Sequence, residues 1–161
     1  MPSATKTFKD QDSAIVIDEG YAPIYLVAWF GAPTEVTARA YFTWSTGIIE
    51  EAIRGSRNIV IIVDSEDAGR PTAKVRALMA ELSEHMPRAE KLIAVFVALP
   101  NPLVRGAMTA MQWVTRKPWP MTVVSSLEEG LTRGLATLRA AGVGSPAGLD
   151  ARTHLRLSRP A

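Results

Sequence analysis

The sequence contains no cysteine and only two histidines, His85 and His154, among 161 residues. Lack of cysteine excludes disulfides, thiolate catalysis, iron–sulfur clusters and zinc fingers together. With two histidines, a metal site would have to be built mostly from carboxylates. Charge of one sign is also lacking. Eighteen basic and sixteen acidic residues leave a net charge of +2, too small a surplus for a dedicated nucleic-acid binder. No uninterrupted apolar run reaches the roughly 18 residues of a membrane-spanning helix. The nearest case, residues 92–115, carries Arg105 and is broken by Pro100-Asn101-Pro102. The first thirteen residues are polar and have no apolar core of a signal peptide, so a soluble, cytoplasmic protein is expected.

What is present is ordinary for a globular domain. Hydrophobic residues make up 47% of the chain, enough for one well-buried core. Residues 14–18 and 24–30 are short β-branched or apolar runs separated by five residues, too few for a crossover helix, so they should pair antiparallel. Thr34 is a credible N-cap for a helix to about Arg54, ended by Gly55. Ile59-Val-Ile-Ile-Val63 has the continuous β-branched character of a central strand. A helix is expected from Pro71 to about Glu84, buried along Val75, Leu78, Met79 and Leu82. A strand at 92–99 and a helix over 103–115 follow, then a short strand at 121–124. Ser126-Leu-Glu-Glu129 reads as a capping box opening a last helix stopped by Gly142. The order β-β-α-β-α-β-α-β-α predicts an α/β sandwich: a mixed, mostly parallel five-stranded sheet flanked by helices. Residues 1–12 are expected to be a flexible N-terminus, 13–142 the domain, and 143–161 a small-residue linker and solvated basic tail.

From Asn58 to about Leu138 the chain resembles the SpoIIAA-like branch of the STAS superfamily, including bacterial STAS/SEC14-type domains. Three stretches carry the resemblance: the strand ending Val63-Asp64-Ser65 with the helix holding Lys74-Val-Arg-Ala-Leu, the 92–99 strand running into an apolar helix, and Pro120-Met-Thr-Val-Val-Ser-Ser-Leu-Glu-Glu-Gly. The resemblance implies a bacterial regulatory or ligand-binding domain rather than an enzyme. Phosphorylatable members carry a Ser in an Asp-Ser-Ser-Gly-like turn before their second helix. Here the loop reads Asp64-Ser-Glu-Asp-Ala-Gly-Arg-Pro-Thr72, leaving Ser65 and Thr72 as candidate phospho-acceptors. Acidic neighbours disfavour a phosphate on Ser65, whereas Thr72 has Arg70 nearby and an early helical position.

Weighed for chemistry, the remaining groups fall away. Asp18-Glu19, Asp64 and Lys117 mimic the acids and lysine of a phospho-receiver. The hairpin, however, should carry Asp18 to the opposite end of the sheet from Asp64, and Lys117 precedes a strand rather than ending one. There is no phosphate-cradling glycine loop. Ser126 is explained as a cap, His85 as a helix-end residue, and Glu128 and Glu129 as first-turn acids. No catalytic residue, cofactor or metal is therefore assigned.

The helix over 103–115 is apolar around much of its circumference, and the first helix has aromatics at 41, 42 and 44 that cannot all face one sheet. With Leu103, Ala107, Ala110, Met111 and Val114 on the sheet, Met108, Gln112 and Trp113 point outward, joined by Tyr41 and Trp44. These five are the candidate interface or apolar-groove residues. A homodimer or another protein would cover such a patch, and a lipid-like ligand in a groove is the alternative. Peripheral membrane contact, with Arg105, Arg116 and Lys117 flanking the helix, is the weakest of these readings.

Overall fold

The computed structural model describes residues 4–87, 91–106 and 120–161. Within them, six strands form one sheet: β1 (Thr5–Asp10), β2 (Ser13–Asp18), β3 (Ile24–Phe30), β4 (Ile59–Asp64), β5 (Leu92–Ala98) and β6 (Met121–Val124). They lie side by side in chain order. The first two pairings are antiparallel, and β3 to β6 run parallel. The helices are α1 (Glu35–Arg54), α2 (Ala73–Glu84) and α3 (Leu127–Ala140), with a further helical stretch at 102–106.

Each parallel crossover moves one place in the same direction, and right-handed connections then put the intervening helices on one face. That first face holds Ile15, Ile17, Val27, Trp29, Ile61 and Val63 against Trp44, Ile48, Ile49 and Ala52 of α1. Alternate residues of the same strands, Leu26, Val60, Ile62, Ala94 and Phe96, form the second face with Leu131 and Leu138 of α3. β4 is buried along its whole length, as its unbroken run of Ile and Val predicts.

Local signals place the helix starts. Thr34 and Thr37 cap α1 reciprocally. Thr72 rather than Pro71 governs the start of α2, accepting from Val75 N at 3.2 Å. Ser126 caps α3, although the carboxylate of Glu129 reaches back to Ser125 instead of the cap residue itself. α3 approaches the sheet closely because Gly130 and Gly134 face it. A Cβ on either would stand 3.1 Å from Ile62.

Four expectations are corrected. The sheet has six strands, not five, because residues 5–10, expected to be flexible, pair with β2 in full register. A polar edge strand needs little apolar signal, and only Phe8 packs against the core. Residues 143–161 are not a solvated tail: Leu149 is buried, and Val143, Ala151 and Leu157 pack on the second face. Tyr41 and Trp44 turn inward, Trp44 being 7% exposed with its Nε1 donating to Glu19 at 2.8 Å. α1 can hold these rings because they meet Tyr25 and Trp29 of β3 edge-on or tilted. Finally, Leu103 is 83% exposed rather than packed on the sheet. Asn101 Oδ1 caps the helical stretch there, and Arg105 is tied back to the carbonyls of Leu99 and Pro100.

Candidate functional site

The parallel strands β3 to β6 all finish at one end of the sheet, where α/β proteins commonly build their sites. β4 delivers Asp64 there, 4% exposed, with Oδ1 accepting from Glu66 N at 3.0 Å. The loop that follows carries Glu66 and Asp67 and no base before Arg70. Its backbone is fixed to the end of β3: Gly31 N donates to Asp67 O at 3.0 Å, and Gly69 N to Gly31 O at 2.8 Å. Gly31 has φ +70°, and a Cβ there would lie 2.3 Å from the carbonyl oxygen of Asp12. Only glycine fits. Gly69 packs so close to Ala32 that its Cβ would come within 2.7 Å of the backbone nitrogen. Ser65 N donates to Ala98 O at the end of β5. The backbone carrying the three carboxylates is therefore a fixed platform, with Asp64 buried and Glu66 and Asp67 half exposed.

Arg156 fills the centre of that platform. Its Nε lies 2.6 Å from Asp64 Oδ2, its second amino group 2.8 Å from Asp67 Oδ2, and its first 3.3 Å from Glu66 Oε2. The hydrogen bond to Asp64 is the main cause that raises the Arg156 pKa above its ordinary value, with burial opposing it. The planar fork of a guanidinium suits several acceptors at once, which a lysine's point charge does not. Next to it, Arg159 donates to Asp12 O at 2.7 Å. Lys9 Nζ is bonded to the carbonyl oxygen of Ala161. Leu157 lies over Ala14, Val16, Ala28 and Phe30, the second face of β2 and β3. Sequence reading missed this arrangement. The signal available was complementarity: a loop with three acids and no base, and a tail with Arg152, Arg156 and Arg159 and no acid beyond Asp150.

The phospho-acceptor candidates part company. Ser65 is half-buried in the acid loop, whereas Thr72 is exposed and caps α2. The expected separation of Asp18 and Asp64 to opposite ends of the sheet is corrected. Asp18 is level with Leu26, two register positions from Ala28, the partner of Asp64, and two strands away from it, while Lys117 lies outside the described residues. Met108, Gln112 and Trp113 lie outside the described residues. Tyr41 is packed against the core, and burial pushes its hydroxyl pKa up to about 12.

Apolar exposure gathers at the same end of the sheet. Val36 opens α1 after β3, and Leu103 and Val104 open the helical stretch after β5. Leu155 adjoins Arg156; all four side chains are exposed. Elsewhere, a surface groove of about 470 Å³ runs along the β5–β6 edge beneath α3. It is lined by Ile93, Ala94, Phe96, Met121 and Arg133, whose guanidinium stands 5.6 Å above the Phe96 ring. Among the described residues no group of His, Asp and Glu is arranged to hold a metal ion. No helix among them is long and apolar enough to cross a membrane.

No family profile and no curated protein matches the chain. Among solved structures it is similar to an uncharacterized protein of the DUF3478 family with a SpoIIAA-like fold from Shewanella loihica PV-4. That likeness has 15% identity and a TM-score of 0.47, covering 81% of this chain and 92% of that one. It is also similar to an anti-sigma factor antagonist from Mycobacterium paratuberculosis, with 14% identity and a TM-score of 0.46, covering 83% and 97% of the two chains.

Proposed function

We propose that the protein is a non-enzymatic regulatory module of the SpoIIAA/STAS-like kind, which works by binding another protein through an apolar helix surface. The observation that carries this reading is the exposure of Leu103 at 83% and Val104 at 43%, at the start of the helix at 102, with Val36 and Leu155 at the same end of the sheet. Leu103 and Val104 are neighbours in the chain, and exposed apolar side chains grouped together mark interaction surfaces when the patch is large enough. Met108 and Trp113 are apolar residues that follow in the sequence, outside the described residues. A second copy of the chain is the partner we assign first, since one self-complementary patch is enough to form a two-fold dimer. Sedimentation at tens of micromolar, well above the dissociation constants of stable dimers, should find a dimer. Leu103→Glu together with Met108→Glu should yield a folded monomer. A wild-type monomer that also retains no partner protein on purification ends this reading.

Thr72 supports a second reading, a phosphorylation switch. Its hydroxyl is exposed at the N-cap of α2, accepting from Val75 N. A phosphate there meets the positive end of the helix, with Arg70 and Arg76 close in sequence. Thr72→Glu should then change self-association by tenfold or more. An unchanged dissociation constant would count against the switch.

A further inference from the structure

The helix surface at 102 leaves out the other feature of this end of the molecule, the acid platform and the segment seated on it. We propose that the platform of Asp64, Glu66 and Asp67, together with the second face of β2 and β3, is a binding site for an extended, arginine-bearing peptide segment. Residues 149–161 occupy it in cis, and a partner segment of the same chemistry displaces them. The inference does not rest on the proposed function, because neither Leu103 nor Val104 takes part in it, although Leu155 belongs to the segment it moves.

The receptor is built before the segment arrives. Gly31 and Gly69 fix the acid loop by backbone contacts that involve no residue of the tail. Ala14, Val16, Ala28 and Phe30 project from paired strands as one flat apolar patch. The ligand's chemistry can be read from its present occupant. One arginine enters three carboxylates, one leucine sits on the apolar patch at the next position, and a second arginine reaches a backbone carbonyl at the β1–β2 turn.

The occupant, by contrast, is weakly built. Residues 143–161 form no helix and add no strand to the sheet. Their cover therefore rests on a few side chains, chiefly Leu149, Arg156, Leu157 and Arg159. Within the segment His154 packs edge-on to Tyr21 at 5.5 Å, yet its Nε2 is buried without a hydrogen-bond partner among the described residues. An unsatisfied buried polar atom is a standing cost that lifting the segment removes. Lifting also leaves Asp64, almost fully buried, without its counter-charge. That cost falls on the receptor; water relieves part of it once the segment lifts, and another guanidinium of the same geometry restores the ion pairs. A site with three carboxylates that holds its own tail with few contacts is suited to exchange of one arginine-bearing segment for another.

The test uses the full chain and a labelled peptide spanning residues 149–161. In the Arg156→Glu chain, repulsion from three carboxylates should free the tethered segment, and the peptide should bind with a micromolar dissociation constant by fluorescence anisotropy. Wild type should bind at least tenfold more weakly, because its own segment competes at an effective concentration on the order of millimolar. A peptide carrying Arg156→Lys should lose about tenfold in affinity. Absence of binding to a folded Arg156→Glu chain up to about 1 mM overturns the proposal. Should that variant not fold, hydrogen exchange of the wild type decides. Amides of 149–161 that exchange on the order of a hundredfold faster than those of α3 support a removable segment, and equal protection overturns it.

Discussion

One face of the sheet is covered by helices that the crossovers themselves supply, and the other only in part. On the first face, α1 is tied into the connection from β3 to β4 and cannot leave without breaking the sheet's chain path. On the second, α3 covers β4 to β6 after the last strand has formed, and a segment without regular structure covers β2 and β3. Both faces bury apolar residues, yet the means differ. Helical cover rests on many side chains and on satisfied backbone, whereas the segment's cover rests on isolated anchors. The difference teaches that burial alone does not measure how firmly a surface is closed.

The comparison can be broken most forcefully at the firmly closed places. Ile49→Ala in α1 should cost about 2–5 kcal/mol, because Ile49 is fully buried and its helix cannot move to fill the cavity. Gly134→Leu should cost about 3 kcal/mol by a different route, since even a Cβ there stands 3.1 Å from Ile62 and 3.3 Å from Val60. Urea unfolding measures both; a loss below about 1 kcal/mol in either would mean that these contacts yield more than their geometry implies. At the loosely closed place, Leu157→Ala should cost about 1 kcal/mol or less, because Leu157 is only partly buried. Arg156→Gln falls between, at about 1–2 kcal/mol. The nearly buried Asp64 loses its partner, while the guanidinium side, 37% exposed, was already screened by solvent. If the leucine in the tail proved as costly as Ile49, the two faces would be closed alike.

The smallest effect concerns pH. Burial raises the Glu19 pKa, but hydrogen bonds from Lys6 and from Trp44 Nε1 outweigh it and hold the carboxyl below its usual value. Glu129 is lowered chiefly by the hydroxyl and backbone N–H of Ser125. For a lowered acid, the stabilisation is present above the unfolded value near 4.5 and is lost as pH falls through the folded one. Tyr41 acts at the other limit: raised to about 12 by burial, it loses its contribution as pH climbs from 10 toward that value. Glu19→Gln should flatten the acid limb of the unfolding free energy against pH by about 0.5 kcal/mol after solvent screening, and leave the alkaline limb alone. An unchanged acid limb would place the sensitivity elsewhere.

How much was legible in the sequence follows from the same contrast. β2 to β6 and the three long helices announce themselves because β-branched runs and capping residues act locally: Ile59–Asp64 and Ser126 needed no tertiary knowledge. β1 was missed because an edge strand shows one face to water and carries the polar residues of a loop. The tail was missed for another reason. Arg156 and Asp64 are 92 residues apart, and no periodicity links a guanidinium to the carboxylate that will hold it. Trp44 and Tyr41 are expected outward because one helix face meets a flat sheet, whereas the rings pack on Tyr25 and Trp29 of β3 and one donates to Glu19.

The order of strands in the sheet, which is the order in the chain, bears on how the molecule is made. Each new strand finds its neighbour already beside it, so the growing sheet closes short loops and never waits for a distant partner. During synthesis, β1 to β3 can form a meander while β4 is still emerging, and every later strand extends an existing edge. The ion pair across 92 residues belongs to the end of that sequence of events. Arg156→Gln should therefore accelerate unfolding while leaving the folding rate unchanged in stopped-flow traces, the mark of an interaction absent from the transition state. The molecule would then complete its sheet and α3 first, and acquire the cover over β2 and β3 last.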